Sequence, residues 1–87
     1  MTLEEFTTII EKMGFFVKFF NGSNETYIYK DDVDREKIAV VYEEPGMFNT
    51  NHYCFGNISS METRRNLLGL IVKYSLTMPW LREAYAE

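Results

Sequence analysis

Two residues of this sequence, His52 and Cys54, have the side chains of a general base and a nucleophile, and they lie two positions apart. On a β-strand, side chains two positions apart share a face, so a Cys/His pair is geometrically conceivable. Covalent catalysis also needs a group that orients the base and donors that stabilise an oxyanion, and the sequence carries no signature of either. We therefore expect a small buried cysteine and a surface or capping histidine, and we predict that the protein is not an enzyme.

The acidic run that follows residue 30 suggests a second kind of chemistry, calcium binding. Asp32, Asp34, Glu36 and Glu43 occupy positions one, three, five and twelve of an EF-hand register. The sharp turn of that loop requires a glycine at position six, where this sequence has Lys37. The five glycines of the chain are scattered singly, so a phosphate-binding loop is not predicted either. We expect no metal and no cofactor.

Negative charge is concentrated in residues 24–44. This segment has seven acidic and three basic side chains, so it alone carries the whole formal net charge of -4. Patterned carboxylates can bind a basic protein and can imitate the phosphates of a nucleic acid. The alternative interpretation is a solvated loop with edge-strand charges that prevent aggregation. The candidate partner-binding residues are Glu25, Asp31, Asp32, Asp34, Glu36, Glu43 and Glu44.

Arg64 and Arg65 are the opposing candidates, since arginines can contact phosphates. Two arginines beside Glu62 are a small basic footprint, and 13 acidic against 9 basic residues do not suit a general nucleic-acid binder, so we expect a protein partner instead. The single cysteine excludes an intramolecular disulfide, which favours a cytoplasmic location. Glu4 and Glu5 stand where a signal peptide would be positively charged, and no stretch reaches about 20 apolar residues, so we expect no membrane association.

Few elements are available to position these residues, because a chain of 87 residues forms one domain with a thin core. Apolar residues that recur on one helical face predict a first helix over Thr2–Met13. Thr2 and Glu5 have the spacing of a capping box, and Gly14 follows the last apolar position. The helix therefore has a predicted start, an apolar face and a predicted end.

The period of the pattern then changes to two, which predicts three strands over Phe15–Phe20, Glu25–Lys30 and Lys37–Glu43. The residues between the first two strands, Asn21–Asn24, favour a hairpin loop. The third strand is apolar on both faces, so we expect it to be central. A short fourth strand is predicted within Met47–Phe55.

A second helix is predicted to begin at a capping box of Ser59 and Glu62 and to end near Thr77, before Pro79. Its expected apolar face is formed by Leu67, Leu68, Ile71, Val72, Tyr74 and Met78. Gly69 falls on or near that face, which predicts close packing against another element. A short final segment begins at the proline. The residues that it should bury are Trp80, Leu81, Ala84 and Tyr85.

These elements predict an α+β domain with an N-terminal helix, a three- or four-stranded antiparallel sheet, and a C-terminal helix with a short terminal helical segment. Large aromatic side chains occur on both faces of the first two strands, although an antiparallel sheet usually leaves one face to solvent. Either the C-terminal segment covers the second face or another molecule does. The candidate self-association residues are Phe16, Phe20, Tyr27 and Tyr29.

The C-terminal third carries a pattern that extends over several elements. Tyr53-Cys54-Phe55 precedes a helix with an acidic start, which continues through residues 67–77 to a proline and then to Arg82-Glu83. This pattern resembles the tail of small uncharacterised proteins of phages and prophages of Gram-positive bacteria, where the helix runs into a Tyr-Ala-x-Thr-Pro-x-x-x-Arg-Glu ending. Here Met78 precedes the proline, and Ser75 stands where the pattern has alanine. The resemblance implies a cytoplasmic accessory protein made in a bacterial host, and it carries no activity and no functional residue.

Three functional hypotheses follow. The first is a non-enzymatic, phage- or prophage-derived interaction protein whose acidic surface binds a protein partner, as an inhibitor or as a nucleic-acid mimic of the anti-CRISPR kind. The second is a homodimer or assembly component that buries the aromatic sheet face between copies. The third is a small enzyme built on His52 and Cys54, which requires a depressed thiol pKa and fast alkylation of Cys54.

Overall fold

A computed structural model describes residues 1–31, 33, 36–51 and 53–83, and it confirms the predicted α+β architecture. The bounds of the predicted strands and helices lie within three residues of the observed ones, apart from a shorter fourth strand and a 3-10 helix that was not predicted. In chain order the elements are α1 (Leu3–Lys12), β1 (Phe16–Phe20), β2 (Glu25–Tyr29), β3 (Lys37–Val41), β4 (Phe48–Asn49), a 3-10 helix (Cys54–Asn57), α2 (Met61–Ser75) and α3 (Pro79–Glu83).

The predicted signals at both ends of α1 are confirmed. The backbone N–H of Thr2 donates to the Glu5 carboxylate at 2.9 Å, and the backbone N–H of Glu5 donates to the Thr2 hydroxyl at 3.1 Å. The backbone hydrogen bond from Thr2 also holds the pKa of Glu5 below its ordinary value. Gly14 follows the helix with a φ of +96°, in the left-handed region that favours glycine.

The four strands form one antiparallel sheet in the order β1-β2-β3-β4, so β3 is central as predicted. The hairpin loop between β1 and β2 ends at Asn24, which has a φ of +56° and donates its backbone N–H to the Phe20 carbonyl at 2.7 Å. The predicted fourth strand is present, but it contains just two residues.

A bulge interrupts the pairing of β2 with β3. Tyr29 pairs with Lys37 and Ile28 pairs with Ala39, so Ile38 is an extra residue on β3. Both Ile38 and Ala39 belong to the hydrophobic core, although neighbouring strand residues normally face opposite ways. The bulge therefore lets the central strand contribute two consecutive side chains to one core.

The core lies between one face of the sheet and the two long helices, α1 and α2. Every layer contributes to it, and most of its members have no exposed surface at all. The core residues are Phe6, Ile10, Val17, Ile28, Ile38, Ala39, Val41, Leu67, Ile71 and Tyr74.

The predicted capping box at the start of α2 is wrong by one residue. The helix begins at Met61, so its N-cap is Ser60 and not Ser59. The Ser60 hydroxyl accepts a hydrogen bond from the backbone N–H of Thr63 at 3.2 Å. Glu62 lies in the first turn, where a carboxylate is favoured by the helix dipole.

The buried face of α2 is narrower than the predicted one. Leu68 and Val72 face outward, and Met78, beyond the end of the helix, is exposed as well. Gly69 is also exposed, and, apart from its two chain neighbours and the backbone of its own helix, a Cβ atom added to it would meet no described atom within 4 Å. The predicted packing of another element of this chain against Gly69 is therefore not found.

The short helix α3 also differs from the prediction, because Trp80 and Leu81 are exposed and Arg82 is buried, with 2% of its surface accessible. Ala84 and Tyr85 lie outside the described residues. A hydrophobic pattern does not predict a buried arginine, since this burial depends on acceptors that other parts of the chain supply.

Three backbone carbonyls accept hydrogen bonds from the Arg82 guanidinium. Nε donates to Thr77 at 2.8 Å, Nη1 to Tyr42 at 2.6 Å and Nη2 to Ser75 at 2.7 Å. The guanidinium carbon also lies 5.2 Å from the centroid of the Tyr74 ring. Burial lowers the pKa of Arg82 from its ordinary value. The side chain thereby joins the end of α2 to the residue that follows β3.

Tyr74 connects α2 to α1 and to the sheet. Its ring stacks on Phe6 of α1 with a centroid distance of 4.2 Å and an angle of 10°. Its hydroxyl shares a hydrogen bond of 2.9 Å with the hydroxyl of Thr26 on β2, and both residues are fully buried.

We expect Tyr74→Phe to lower the free energy of unfolding by about 1 to 3 kcal/mol, because the variant leaves the buried Thr26 hydroxyl without this partner. The double variant Thr26→Val/Tyr74→Phe removes both hydroxyls and should recover part of that loss. Urea denaturation of the wild type, both single variants and the double variant measures the coupling. A Tyr74→Phe variant as stable as the wild type would contradict the structural role of this bond.

We expect Arg82→Lys to cost about 2 kcal/mol of unfolding free energy, because an ammonium group cannot reach three carbonyls in the directions that the planar guanidinium fits. The matched control is Arg65→Lys at an exposed position of α2, which should change stability by less than about 0.5 kcal/mol. Both variants keep the charge, so a difference in their urea midpoints isolates the hydrogen-bond geometry. Equal midpoints would contradict the prediction.

Candidate functional site

The strand register places all four predicted self-association residues on one face of the sheet. Phe16 pairs with Tyr29, Lys18 with Tyr27, and Phe20 with Glu25. Directly paired residues share a face, so these six side chains lie opposite the face that packs against α1 and α2. We call this surface the aromatic face. The alternation predicted for β1 and β2 is confirmed.

The four rings form a continuous row. The centroids of Phe16 and Tyr29 are 6.3 Å apart, those of Tyr29 and Tyr27 are 6.1 Å apart, and those of Tyr27 and Phe20 are 5.2 Å apart with an edge-to-face angle of 85°. The rings shield one another, so Tyr29 is 8% exposed, whereas Phe20 at the end of the row is 37% exposed. The row is therefore most accessible at its Phe20 end.

Two lysines lie over this row. The ammonium of Lys18 is 5.7 Å from the centroid of Phe20, and that of Lys37 is 5.0 Å from Tyr27 and 6.0 Å from Tyr53. A cation over a ring face is attracted by the negative charge of the π-system. The rings of Phe20, Tyr27 and Tyr53 are thus already in contact with cations of the protein itself.

Glu25 lies beside the most accessible rings. The Tyr27 hydroxyl donates to the Glu25 carboxylate at 2.9 Å. This hydrogen bond, together with burial and the negative charge of Glu25, raises the pKa of Tyr27 to about 12. Burial, followed by the nearby Tyr42 and Glu25, also raises the pKa of Tyr53. Both phenols are therefore neutral hydrogen-bond donors at physiological pH.

The same glutamate lines two open concavities. One, of about 430 Å³, is lined by rings of the aromatic face, by the loop of residues 21–23 and by Lys37. The other, of about 350 Å³, is lined by the residues that follow β3. Thr26 pairs with Val41, which brings these residues beside Glu25. We call the combined surface the acidic–aromatic patch and define it as Phe20, Glu25, Tyr27, Tyr42, Glu43, Glu44 and Met47.

Three of the seven predicted partner-binding carboxylates, Glu25, Glu43 and Glu44, thus lie on one surface. Glu43 accepts a hydrogen bond from the Asn24 side chain at 2.8 Å. Asp31 follows β2 and Glu36 precedes β3, so both lie beyond the end of this strand pair that is distant from Glu25 and Glu43, and a five-residue strand alone is about 13 Å long. Asp32 and Asp34 lie outside the described residues. The structure therefore separates side chains that are grouped in the sequence.

Asp31 and Glu36 instead accompany the connection between β2 and β3. The Asp31 carboxylate accepts a hydrogen bond from the backbone N–H of Val33 at 2.9 Å. The Glu36 carbonyl accepts one from the backbone N–H of Lys30 at 2.8 Å. These contacts close the loop locally.

Cys54 does not lie on a strand, as the hypothesis of a Cys/His pair requires. His52 lies outside the described residues, and Cys54 begins the 3-10 helix rather than lying on a strand, since β4 ends at Asn49. Cys54 is half-buried. Lys37 belongs to β3, so the EF-hand register would have to continue through a strand. Among the described residues, no group of three or more His, Cys, Asp or Glu side chains is placed to hold a metal ion.

The helical segment at the C-terminus does not cover the aromatic face within residues 79–83. It contacts α1, and Arg82 reaches the Tyr42 carbonyl at the end of the sheet. Two members of the patch, Tyr42 and Met47, were not predicted as site residues. Tyr42 continues the period-two pattern of β3, whereas the position of Met47 depends on the turn at Pro45-Gly46 and has no such signal.

No family model, curated protein or solved structure matches this chain. Throughout the residues that the structure describes, no helix has both the length and the apolar character that a membrane span needs.

We expect Glu25→Gln to lower the pKa of Tyr27 from about 12 toward its ordinary value of 10.0, because the variant removes the negative charge and weakens the acceptor. The raised pKa favours the neutral phenol in the folded state, so its contribution to stability is complete below pH 10.0 and is lost as the pH rises through about 12. NMR titration of tyrosine labelled with ¹³C at Cζ follows each phenol separately. An unchanged Tyr27 midpoint in Glu25→Gln would contradict the assignment.

Proposed function

We propose that the protein is a non-enzymatic interaction module that binds a basic protein partner at the acidic–aromatic patch. The observation that carries this proposal is the position of Glu25, between the accessible end of the aromatic row and the carboxylates of Glu43 and Glu44. The exposed side chains of Phe20 and Met47 add apolar area to the same surface. The C-terminal resemblance supports a phage-derived accessory protein in a bacterial cytoplasm as the setting.

The chemistry of the patch selects the kind of partner. The three carboxylates that line the concavity beside Tyr42 attract cations, the ring of Tyr42 can attract them too, and no described lysine lines this concavity. An arginine fits both features, because its planar guanidinium stacks on rings and binds carboxylates through two parallel hydrogen bonds. We therefore infer a partner segment that combines arginine or lysine with apolar residues.

A basic surface of this kind is common where a protein holds nucleic acid. A partner occupied by this module would lose access to its nucleic acid, since the carboxylates would take the places of phosphates. Inhibition by nucleic-acid mimicry is accordingly the specific form of the proposal, and it includes the anti-CRISPR type of activity.

The alternative is a homodimer or assembly component joined through Phe16, Phe20, Tyr27 and Tyr29. This surface offers less apolar area than the sequence pattern suggests, because Tyr29 is buried and two lysines lie over the row. Like charges from Lys18 and Lys37 of two copies would also approach one another across such an interface. The concavity lined by Glu25, Glu43 and Glu44 has no lysine among its described lining residues, so this part of the patch favours a basic partner over a second copy.

The experiment is an affinity pull-down from a Gram-positive bacterial lysate at about 50 mM and about 500 mM salt, with mass spectrometry of the retained proteins. Glu43→Gln/Glu44→Gln and Phe20→Ala test the patch, and Glu4→Gln/Glu11→Gln on α1 is a control with the same change of charge. We expect the wild type and the control to retain a basic protein at low salt. Both patch variants should bind it about tenfold more weakly.

A second arm places the same charge change at the far end of β2, with Asp31→Asn/Glu36→Gln. If the patch alone binds the partner, this variant should retain it as well as the wild type does. A partner retained equally by the wild type and by both patch variants would contradict the proposal, and so would the absence of any salt-sensitive partner.

A further inference from the structure

Asn21 is the only asparagine of the sequence that is followed by glycine, and it begins the hairpin loop between β1 and β2. Asn21 and Gly22 are both exposed, and the hydrogen bond from the Asn24 backbone N–H to the Phe20 carbonyl closes the loop behind them. Asparagine is a thermolabile residue, because the backbone nitrogen of the next residue can attack its side-chain amide. A glycine in that next position has no Cβ atom to hinder the attack.

The fold does not require a glycine at position 22. Among the described glycines, positive φ values occur at Gly14 and Gly46 and not at Gly22. Apart from its two chain neighbours, a Cβ atom added to Gly22 would meet no described atom within 4 Å. An alanine therefore fits this position without backbone strain. The variant Gly22→Ala changes the access to Asn21 and leaves the loop as it is.

The two groups that would react are not occupied by hydrogen bonds. Within the part of the chain that the structure describes, neither the side chain of Asn21 nor the backbone N–H of Gly22 has a hydrogen-bond partner. The other asparagine of this loop differs in both respects, since the Asn24 side chain donates to Glu43 at 2.8 Å and the next residue is Glu25. The Asn21 side chain can therefore turn toward the Gly22 nitrogen without breaking a contact.

We propose that Asn21 is a modification site, where the folded protein converts spontaneously to aspartate and isoaspartate. The Gly22 nitrogen forms a bond to Cγ of Asn21, and the side-chain nitrogen leaves as ammonia with the proton of the Gly22 N–H. Water then opens the resulting succinimide ring at one of its two carbonyl carbons. Cleavage between Cγ and the Gly22 nitrogen gives aspartate, and cleavage between the Asn21 main-chain carbonyl carbon and that nitrogen gives isoaspartate. Either product carries one carboxylate, and water is the only co-reactant.

The new carboxylate lies at the edge of the acidic–aromatic patch. Asn21 lines the same concavity as Phe20 and Glu25, so the conversion adds a negative charge at the accessible end of the aromatic row. Lys37 lines this concavity too, and the added carboxylate offsets its positive charge. The patch thus becomes more attractive to a basic partner as the protein ages. This effect on binding rests on the proposed function, whereas the conversion itself does not.

Peptide mass spectrometry of the folded protein during incubation tests the conversion. We expect position 21 to gain about 1 Da, and to do so about tenfold faster for each unit of pH above neutrality, because the attacking nitrogen must lose its proton. Gly22→Ala should slow this gain about tenfold, since its methyl group hinders the attack. The internal control is Asn66 on α2, which is exposed but precedes Leu67 and should stay unchanged.

The variant Tyr74→Phe distinguishes reaction of the folded loop from reaction of unfolded molecules. It lowers the free energy of unfolding at a position outside the loop, so the rate at Asn21 should stay as in the wild type. A rate that rises with the unfolded fraction would overturn the proposal. An Asn21 that converts no faster than Asn66, or a Gly22→Ala variant that converts as fast as the wild type, would overturn it too.

Asn21→Asp tests the consequence for the patch, with an immobilised peptide of arginine and leucine residues as the probe at about 50 mM salt. The variant should bind the peptide about two- to fivefold more tightly than the wild type. Asn66→Asp makes the same change of charge on α2 and should bind as the wild type does. Binding by the wild type without a gain in Asn21→Asp would contradict the position of the new charge. No binding by either would contradict the proposed function, while the mass spectra still decide the conversion.

Discussion

The rest of the structure depends on one buried polar contact, the hydrogen bond between the hydroxyls of Tyr74 and Thr26. A buried hydroxyl must be bonded, so α2 can pack on the sheet only in the position that aligns these two atoms. The same ring stacks on Phe6, which fixes α1 relative to α2, and it lies beneath the guanidinium of Arg82. In a domain this small, with a correspondingly thin core, one side chain thus coordinates both helices, the sheet and the C-terminal turn.

This contact also determines which side chains of α2 and which face of the sheet are exposed to solvent. With Tyr74 turned inward, Leu67 and Ile71 follow it into the core, Leu70 packs against that core, and Met61, Leu68 and Val72 are the exposed apolar residues of α2. Both long helices occupy one side of the sheet, so the aromatic face is left uncovered by them. The exposure of the aromatic face is therefore a consequence of how the helices are oriented.

The parts of the fold that could be predicted are those with local causes. The period-two pattern of β1 and β2 predicted that Phe16, Phe20, Tyr27 and Tyr29 share one face of the sheet. The capping box of Thr2 and Glu5 predicted where α1 begins. Arg82 could not be predicted as buried, because its acceptors at Tyr42 and Ser75 meet only after folding. The acidic residues were grouped by their proximity in the sequence, whereas an antiparallel pair of strands returns Glu43 to Glu25 and leaves Asp31 at the far end.

The turn that carries Glu43 and Glu44 is tied down at both ends. The backbone N–H of Gly46 donates to the Ser75 carbonyl at 2.8 Å, and the carbonyl of Tyr42 accepts from Arg82. Ser75 also accepts from Arg82, so the end of α2, the buried arginine and the turn form one closed hydrogen-bonded loop. Conformational entropy that a free loop would lose on association is already lost here when the chain folds. The two carboxylates consequently meet a partner in a preorganised arrangement, which favours slow dissociation.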